Sequence, residues 1–96
     1  MVGNLEQAAG MFKVLSDPTR LKIVKLLAES GGPLCVNAIT HRLGVSQSAV
    51  SQHLRVLRQT GLAKGDRYGF NVHYALSPGV LETYRELMRG VLGDGK

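Results

Sequence analysis

Residues Gly44 to Ala63 read GVSQSAVSQHLRVLRQTGLA, and the way polar and apolar side chains alternate there decides the fold. Ser46 has the chemistry of an N-cap and Gly61 that of a C-terminal stop, with no proline or glycine between them, which predicts a helix over 47–60. At roughly 100° per residue, Gln47, Ser48, Ser51, Gln52, Arg55, Arg58 and Gln59 fall within a sector of about 140°. The opposite sector holds Ala49, Val50, Leu54, Val56 and Leu57, with His53 among them. One side of this helix is made to dock and the other to stay wet.

The wet side contains no acid. A solvated helix face normally mixes Glu with Lys and Arg, whereas this one is Ser, Gln and Arg throughout. Phosphates would repel carboxylates, while Gln and Arg can make paired hydrogen bonds to adenine and guanine edges and Ser can bond bases or phosphates. The candidate DNA-binding residues on this stretch are Ser46, Gln47, Ser48, Ser51, Gln52, Arg55 and Arg58.

Upstream, Val36, Ile39 and Leu43 predict a short helix over 36–43 that ends at Gly44. The two or three residues before Ser46 match the connection in a helix-turn-helix unit, here 36–60. Asp17 as cap and Pro18 in the first turn predict a helix over 18–29, with Leu21, Val24, Leu27 and Ala28 buried and a stop at Ser30-Gly31-Gly32-Pro33. Leu5, Ala8, Ala9, Phe12 and Leu15 predict a first helix over 4–15 capped by Asn4.

Downstream the period changes. A strand over 62–67, a turn at Tyr68-Gly69-Phe70, and Val72, Tyr74 and Leu76 alternating with Asn71, His73 and Ala75 predict a hairpin over 62–76. Ser77-Pro78 then opens a last helix over 78–92 with Leu81, Tyr84, Met88, Val91 and Leu92 as its stripe, and the residues from Gly93 read as a frayed tail. The expected architecture is one domain over 1–96, mainly α with a small β-hairpin, in the order α-α-α-α-β-β-α.

Twelve Lys and Arg against seven Asp and Glu give a net charge of +5. Residues 36–74 carry Arg42, Arg55, Arg58, Lys64 and Arg67 against Asp66 alone, which places +4 of that charge around the central helices and hairpin. The one cysteine excludes an internal disulfide, and the absence of an apolar signal segment or of a run near 20 apolar residues leads us to expect a soluble, cytoplasmic chain with no membrane partner. No carboxylate pair, nucleophile-base constellation or phosphate-cradling glycine loop is evident, so no enzyme activity and no cofactor are expected.

Taken together, "LSDPTRLKIVKLL" (Leu15 to Leu27), "GVSQSAVSQHLRVLRQTGLA" (Gly44 to Ala63) and the hairpin residues Gly69, Val72, Tyr74 and Leu76 resemble the ArsR/SmtB group of winged-helix repressors over nearly the whole chain. The resemblance implies a homodimer joined largely through the first and last helices (4–15 and 78–92), bound to a twofold-symmetric operator and released by an inducer, here unidentified. Leu5, Phe12, Leu81, Tyr84 and Met88 are the interface candidates, the alternative being that they close the core of one subunit. On the wing, Lys64, Arg67, Tyr68 and Gly69 are the candidates for DNA contact.

The chain departs from its relatives in three places. Many of them bind metal through a Cys-x-Cys where this chain has Cys35-Val36-Asn37, and a carboxamide oxygen is a poor replacement for a thiolate. Others bind zinc through Asp and His on the last helix, which here has neither between Pro78 and Gly93. Asp66 and Phe70 stand where wings are often basic. No metal site is therefore expected; of the other possible ligands, His41 is six residues from Cys35, His53 reads as a packing residue bonded to nearby backbone, and His73 as an exposed strand residue. Cys35 is read first as a small packed side chain, next as a single redox-active thiol, and last as a metal ligand. Functionally, a sequence-specific repressor leads, and a winged-helix module for protein partners is the alternative.

Overall fold

The computed structural model describes residues 2–93. They fold as α1 (Val2–Leu15), α2 (Pro18–Glu29), β1 (Leu34–Cys35), α3 (Val36–Leu43), α4 (Gln47–Gln59), β2 (Ala63–Tyr68), β3 (Asn71–Leu76) and α5 (Val80–Leu92). This is a winged helix-turn-helix, mainly helical as expected, with a short third strand added to the hairpin. The antiparallel sheet runs β1-β3-β2, so β3 is central.

Local chemistry fixes the helix ends. Asp17 accepts hydrogen bonds from the backbone N–H groups of Thr19 at 2.8 Å and Arg20 at 3.1 Å, starting α2 with Pro18 in its first turn. Gly44, at φ 66°, closes α3, and Ser46 Oγ accepts from Ala49 N at 3.2 Å to open α4. Beyond α4 the chain turns at Gly61, where φ is 84°, and Leu62 N donates back to Leu57 O at 2.9 Å.

The core lies between α2, α3, α4 and the sheet. Ile23, Leu27, Ile39, Val50, Leu54, Leu57, Leu62, Ala63 and Tyr74 form it, and Ile23, Ile39, Val50 and Leu57 have no exposed surface. The expected buried set of α2 is corrected here: Leu21 and Ala28 are exposed, and the inner meridian is Arg20, Ile23, Val24 and Leu27. A cation heads that meridian, and an apolar period that skips the cation lands on the neighbouring one.

Two helix starts also differ from expectation. Asn4 lies inside α1, which begins at Val2, and α5 begins at Val80 because Gly79 takes a left-handed conformation, φ 79°, leaving Pro78 in the preceding turn. The expectation of a frayed end falls largely on 94–96, outside the described residues.

α1 packs against α5, and each helix has two apolar faces. Ala8 and Leu87 are buried and Met11, Val14, Val80 and Tyr84 half-buried on the inner side, whereas Leu5, Phe12, Leu81, Met88 and Leu92 are exposed on the outer side. Leu87 lies off the expected stripe, and Tyr84, an interface candidate, turns inward onto the core. Burial also raises the Tyr84 phenol above its ordinary pKa.

Gly65 pairs with Tyr74, and a Cβ there would meet the Tyr74 ring at 2.9 Å and Val72 Cγ1 at 3.0 Å. Tyr74 is buried in the core cluster on a strand paired along both edges, so an added methyl would press on a packed ring. Gly65→Ala is expected to destabilise the domain by about 1–3 kcal/mol, the usual cost of overpacking, measured by thermal unfolding; an unchanged melting temperature would show that the sheet absorbs the added methyl.

Candidate nucleic-acid interface

α4 meets the core through Val50, Leu54 and Leu57, and that row fixes its rotation about its own axis. With those three inside, Gln47, Ser48, Ser51, Gln52, Arg55, Arg58 and Gln59 are all exposed. Ser46 is exposed too, but its oxygen is engaged as the helix cap and lies 3.4 Å from Ser48 Oγ. The free N–H groups of the first turn add partial positive charge beside Gln47 and Ser48.

Several exposed cations of α2 and α5 are held in ion pairs. Lys25 pairs with Glu29 at 2.9 Å, Arg85 with Glu82 at 3.5 Å, and Arg89 with Glu82 and Glu86. Among the described residues, no carboxylate pairs with Arg55, Arg58 or Arg67. Their charge is not internally compensated.

Beneath α4 lies a polar tie that the sequence did not reveal. Arg20 donates through Nε to His53 Nδ1 at 3.2 Å and through Nη1 to Val14 O at 3.1 Å, joining the end of α1, the start of α2 and the underside of α4. His53 is therefore bonded to a side chain, not to nearby backbone as expected, and its Nε2 faces Asp17 Oδ1 at 3.9 Å. The Arg20 backbone N–H holds the Asp17 carboxyl below its ordinary pKa, against the opposing effect of desolvation; the Thr19 N–H and the nearby His53 and Arg20 side chains act in the same direction as the Arg20 N–H.

The wing is a hairpin with two strands of six residues and a tight turn at Gly69-Phe70, where Gly69 has φ 66°. Strand alternation puts Lys64 and Arg67 on opposite faces, and Lys64 Nζ lies 3.5 Å from Asp66. Tyr68 is 55% exposed and meets the His73 ring edge-on with centroids 5.0 Å apart, Gly69 is exposed, and Phe70 is 100% exposed. Phe70 and Asn71 share a small cleft with Gln47, Asn37 and Cys35, so the wing tip borders the start of α4.

Cys35 is half-buried, in β1 at the N-terminal boundary of α3, and stands opposite His73, which in turn stands opposite Asp66. His73 is thus half-buried between two strands, not exposed as expected, and its Nδ1 is buried without a partner. His41 is exposed in the last turn of α3. Among the described residues no three His, Cys, Asp or Glu side chains converge as a metal-sized group, and no helix is long and apolar enough to cross a membrane.

Comparison with known proteins agrees with this geometry. The family described as "Bacterial regulatory protein, arsR family" matches residues 17–64. An HTH-type transcriptional regulator of Methanocaldococcus jannaschii is 42% identical over 81 residues, 83% of this chain and 90% of that protein. The arsenical resistance operon repressor of Escherichia coli is 48% identical over 68 residues, 71% of this chain and 57% of that protein. The structure of HlyU from Vibrio cholerae superposes with a TM-score of 0.78 at 33% identity, covering 96% of this chain and 98% of that one.

The lowered Asp17 pKa has a pH signature. A carboxylate that binds protons less readily when folded contributes stability above its unfolded pKa, and that contribution is lost as pH falls through the lower folded value. Denaturant unfolding of the parent is expected to lose stability from about pH 5 downward, and Asp17→Asn to flatten that acid limb; an identical limb in the variant would mean other carboxylates carry it.

Proposed function

The chain belongs to the arsR family of bacterial regulatory proteins, and we propose that it works in the cytoplasm as a homodimeric repressor whose two α4 helices read a twofold-symmetric operator until a signal releases it. It is a DNA-binding transcriptional regulator and not an enzyme. The observation that carries the proposed mode of reading is the α4 face itself, exposed, free of acid, and rich in groups that match base edges and phosphates.

Each side chain has a distinct task on this reading. Gln52 and Arg55, on the central turns, face base edges in the major groove; Gln47, Ser48 and Ser51 lie at the end of the helix that enters first; Arg58 and Arg67 hold phosphates. Lys64 contributes less, because Asp66 competes for its charge. The outer stripes of α1 and α5 support the dimer, since Leu5 at 52% exposure, Phe12 at 44%, Leu81 at 58% and Met88 at 38% leave apolar surface that a second copy would cover. Two recognition helices related by a twofold axis would enter grooves about one helical turn of DNA, or a multiple of it, apart.

Selection of genomic fragments on the purified protein is expected to return an inverted repeat. Gln52→Ala and Arg55→Ala should each bind that duplex about 10–100-fold more weakly, the scale of a lost bidentate base contact, with an unchanged circular dichroism spectrum. Binding as tight as the parent's would remove α4 as the reader. Leu81→Glu is expected to shift sedimentation from dimer to monomer; a parent that sediments as a monomer would refute the dimer.

A further inference from the structure

Arg20 and His53 meet across 33 residues of chain, and the bond between them admits only one charge state of the imidazole. A guanidinium can only donate, so the Arg20 Nε–H that reaches His53 Nδ1 at 3.2 Å requires a lone pair there. In this arrangement His53 is neutral, with its one proton on Nε2. That nitrogen faces Asp17 Oδ1 at 3.9 Å, beyond hydrogen-bond range, while the same oxygen caps α2. The His53 side chain is 18% exposed, which leaves water little room to replace either partner.

A proton on Nδ1 would set donor against donor and cation against cation. Arg20 would then give up its place between His53 and the Val14 carbonyl, and the imidazolium would be drawn to the Asp17 carboxylate, kept ionised by the backbone N–H groups of Arg20 and Thr19. Of the other elements packed on α4, α3 carries His41 and Arg42 and β2 carries Lys64, Asp66 and Arg67. Among the described residues none of these five bonds or pairs with His53, so Arg20 and Asp17 are its two charged partners. One proton thus exchanges the partner that ties α4 to the corner of α1 and α2 for one that only caps α2.

We propose that His53 is a positioning residue that couples DNA binding to pH: neutral, it lets Arg20 hold α4 at the angle the operator needs, and protonated it releases that hold. This rests on the DNA-reading role of α4. An imidazole changes charge between about pH 5 and 8. A chain that must shed this proton to dock binds its operator less tightly as pH falls, and by reciprocity the bound operator makes the ring harder to protonate. Phosphates alone produce the opposite sign, because nearby anions favour the imidazolium and added positive charge strengthens binding.

Affinity for the selected operator duplex, measured at constant salt from about pH 8 down to about 5.5, where an imidazole titrates, should fall about tenfold, the scale of one hydrogen bond to a charged group. His53→Asn offers a neutral carbonyl acceptor near the place of Nδ1 and should bind like the parent at the alkaline end without the acid fall. Arg20→Met should bind about tenfold more weakly at the alkaline end and be flat with pH. In nuclear magnetic resonance spectra the His53 ring should titrate at a lower pH in the complex than in the free protein, whereas the ring of exposed His41 should not move down. Parental affinity that is level or rises toward acid, a full acid fall in His53→Asn, or a His53 ring that titrates no lower in the complex would each overturn the proposal. None of these touches the α4 reading, which the Gln52 and Arg55 variants test at the alkaline end. If no duplex binds the parent, both fall.

Discussion

Everything outward in this domain depends on one helix serving two environments. Val50 and Leu57 have no exposed surface and Leu54 has 1%, so α4 is pinned to the core along a single line. Burying three such side chains is worth roughly 1.5–3 kcal/mol each, against a total stability for a domain of this size of about 5–15 kcal/mol. The helix cannot roll without surrendering a large part of the fold. That restraint converts a polar sector of sequence into a presented surface, because the positions of Gln52 and Arg55 follow from the positions of Leu54 and Leu57. Arg20 adds a second restraint from below, binding His53 of α4 and the carbonyl of Val14. The corner between α1 and α2 is thereby tied to α4, and a shift of the terminal helices has a physical route to it.

Charge pairing differs between elements. Acids and bases of α5 pair with one another, and so do Lys25 and Glu29 on α2. The arginines of α4 and the outer wing lack such partners among the described residues, so their field extends into solvent and is available to a polyanion. Exposed apolar side chains lie on the outer stripes of α1 and α5, at Leu21 of α2 and at the wing tip. The polar face of α4 and the apolar outer stripes of α1 and α5 lie on different elements of a body measuring 45 × 23 × 22 Å.

Much of this was legible in the sequence because its signals are local. Asp17-Pro18, Gly44, Ser46 and Gly61 mark helix ends through their own backbone chemistry, and α3 and α4 fall within a residue of their expected spans. What could not be read is non-local or mixed in character. β1 has two residues, too few for any period, and exists because β3 offers an edge to Leu34 and Cys35. The inner meridian of α2 includes Arg20, which hydrophobic patterning discards, and its partner His53 is 33 residues away. The split of α5 into an inner row with Leu87 and an outer row with Leu81 and Met88 follows from how α1 lies on it, which no single helix encodes. Gly79 moved the start of α5 by adopting positive φ, a choice open to any glycine and settled by the chain around it.

Cys35 gains a setting from the third strand: it is held at the boundary of β1 and α3, beside the cleft that Gln47 and the wing tip share, with His73 across the ladder. Its packing and its nearness to the start of α4 are therefore aspects of one position. The account as a whole rests on α4 being the surface that meets DNA. Its most direct test is a nuclear magnetic resonance titration of the labelled protein with the selected operator duplex. The account predicts that the amide and side-chain signals of Gln47, Ser48, Ser51, Gln52 and Arg55 move together with occupancy, while those of Leu81 and Met88 stay in place. Shifts concentrated on α1 and α5 with α4 unmoved would contradict it.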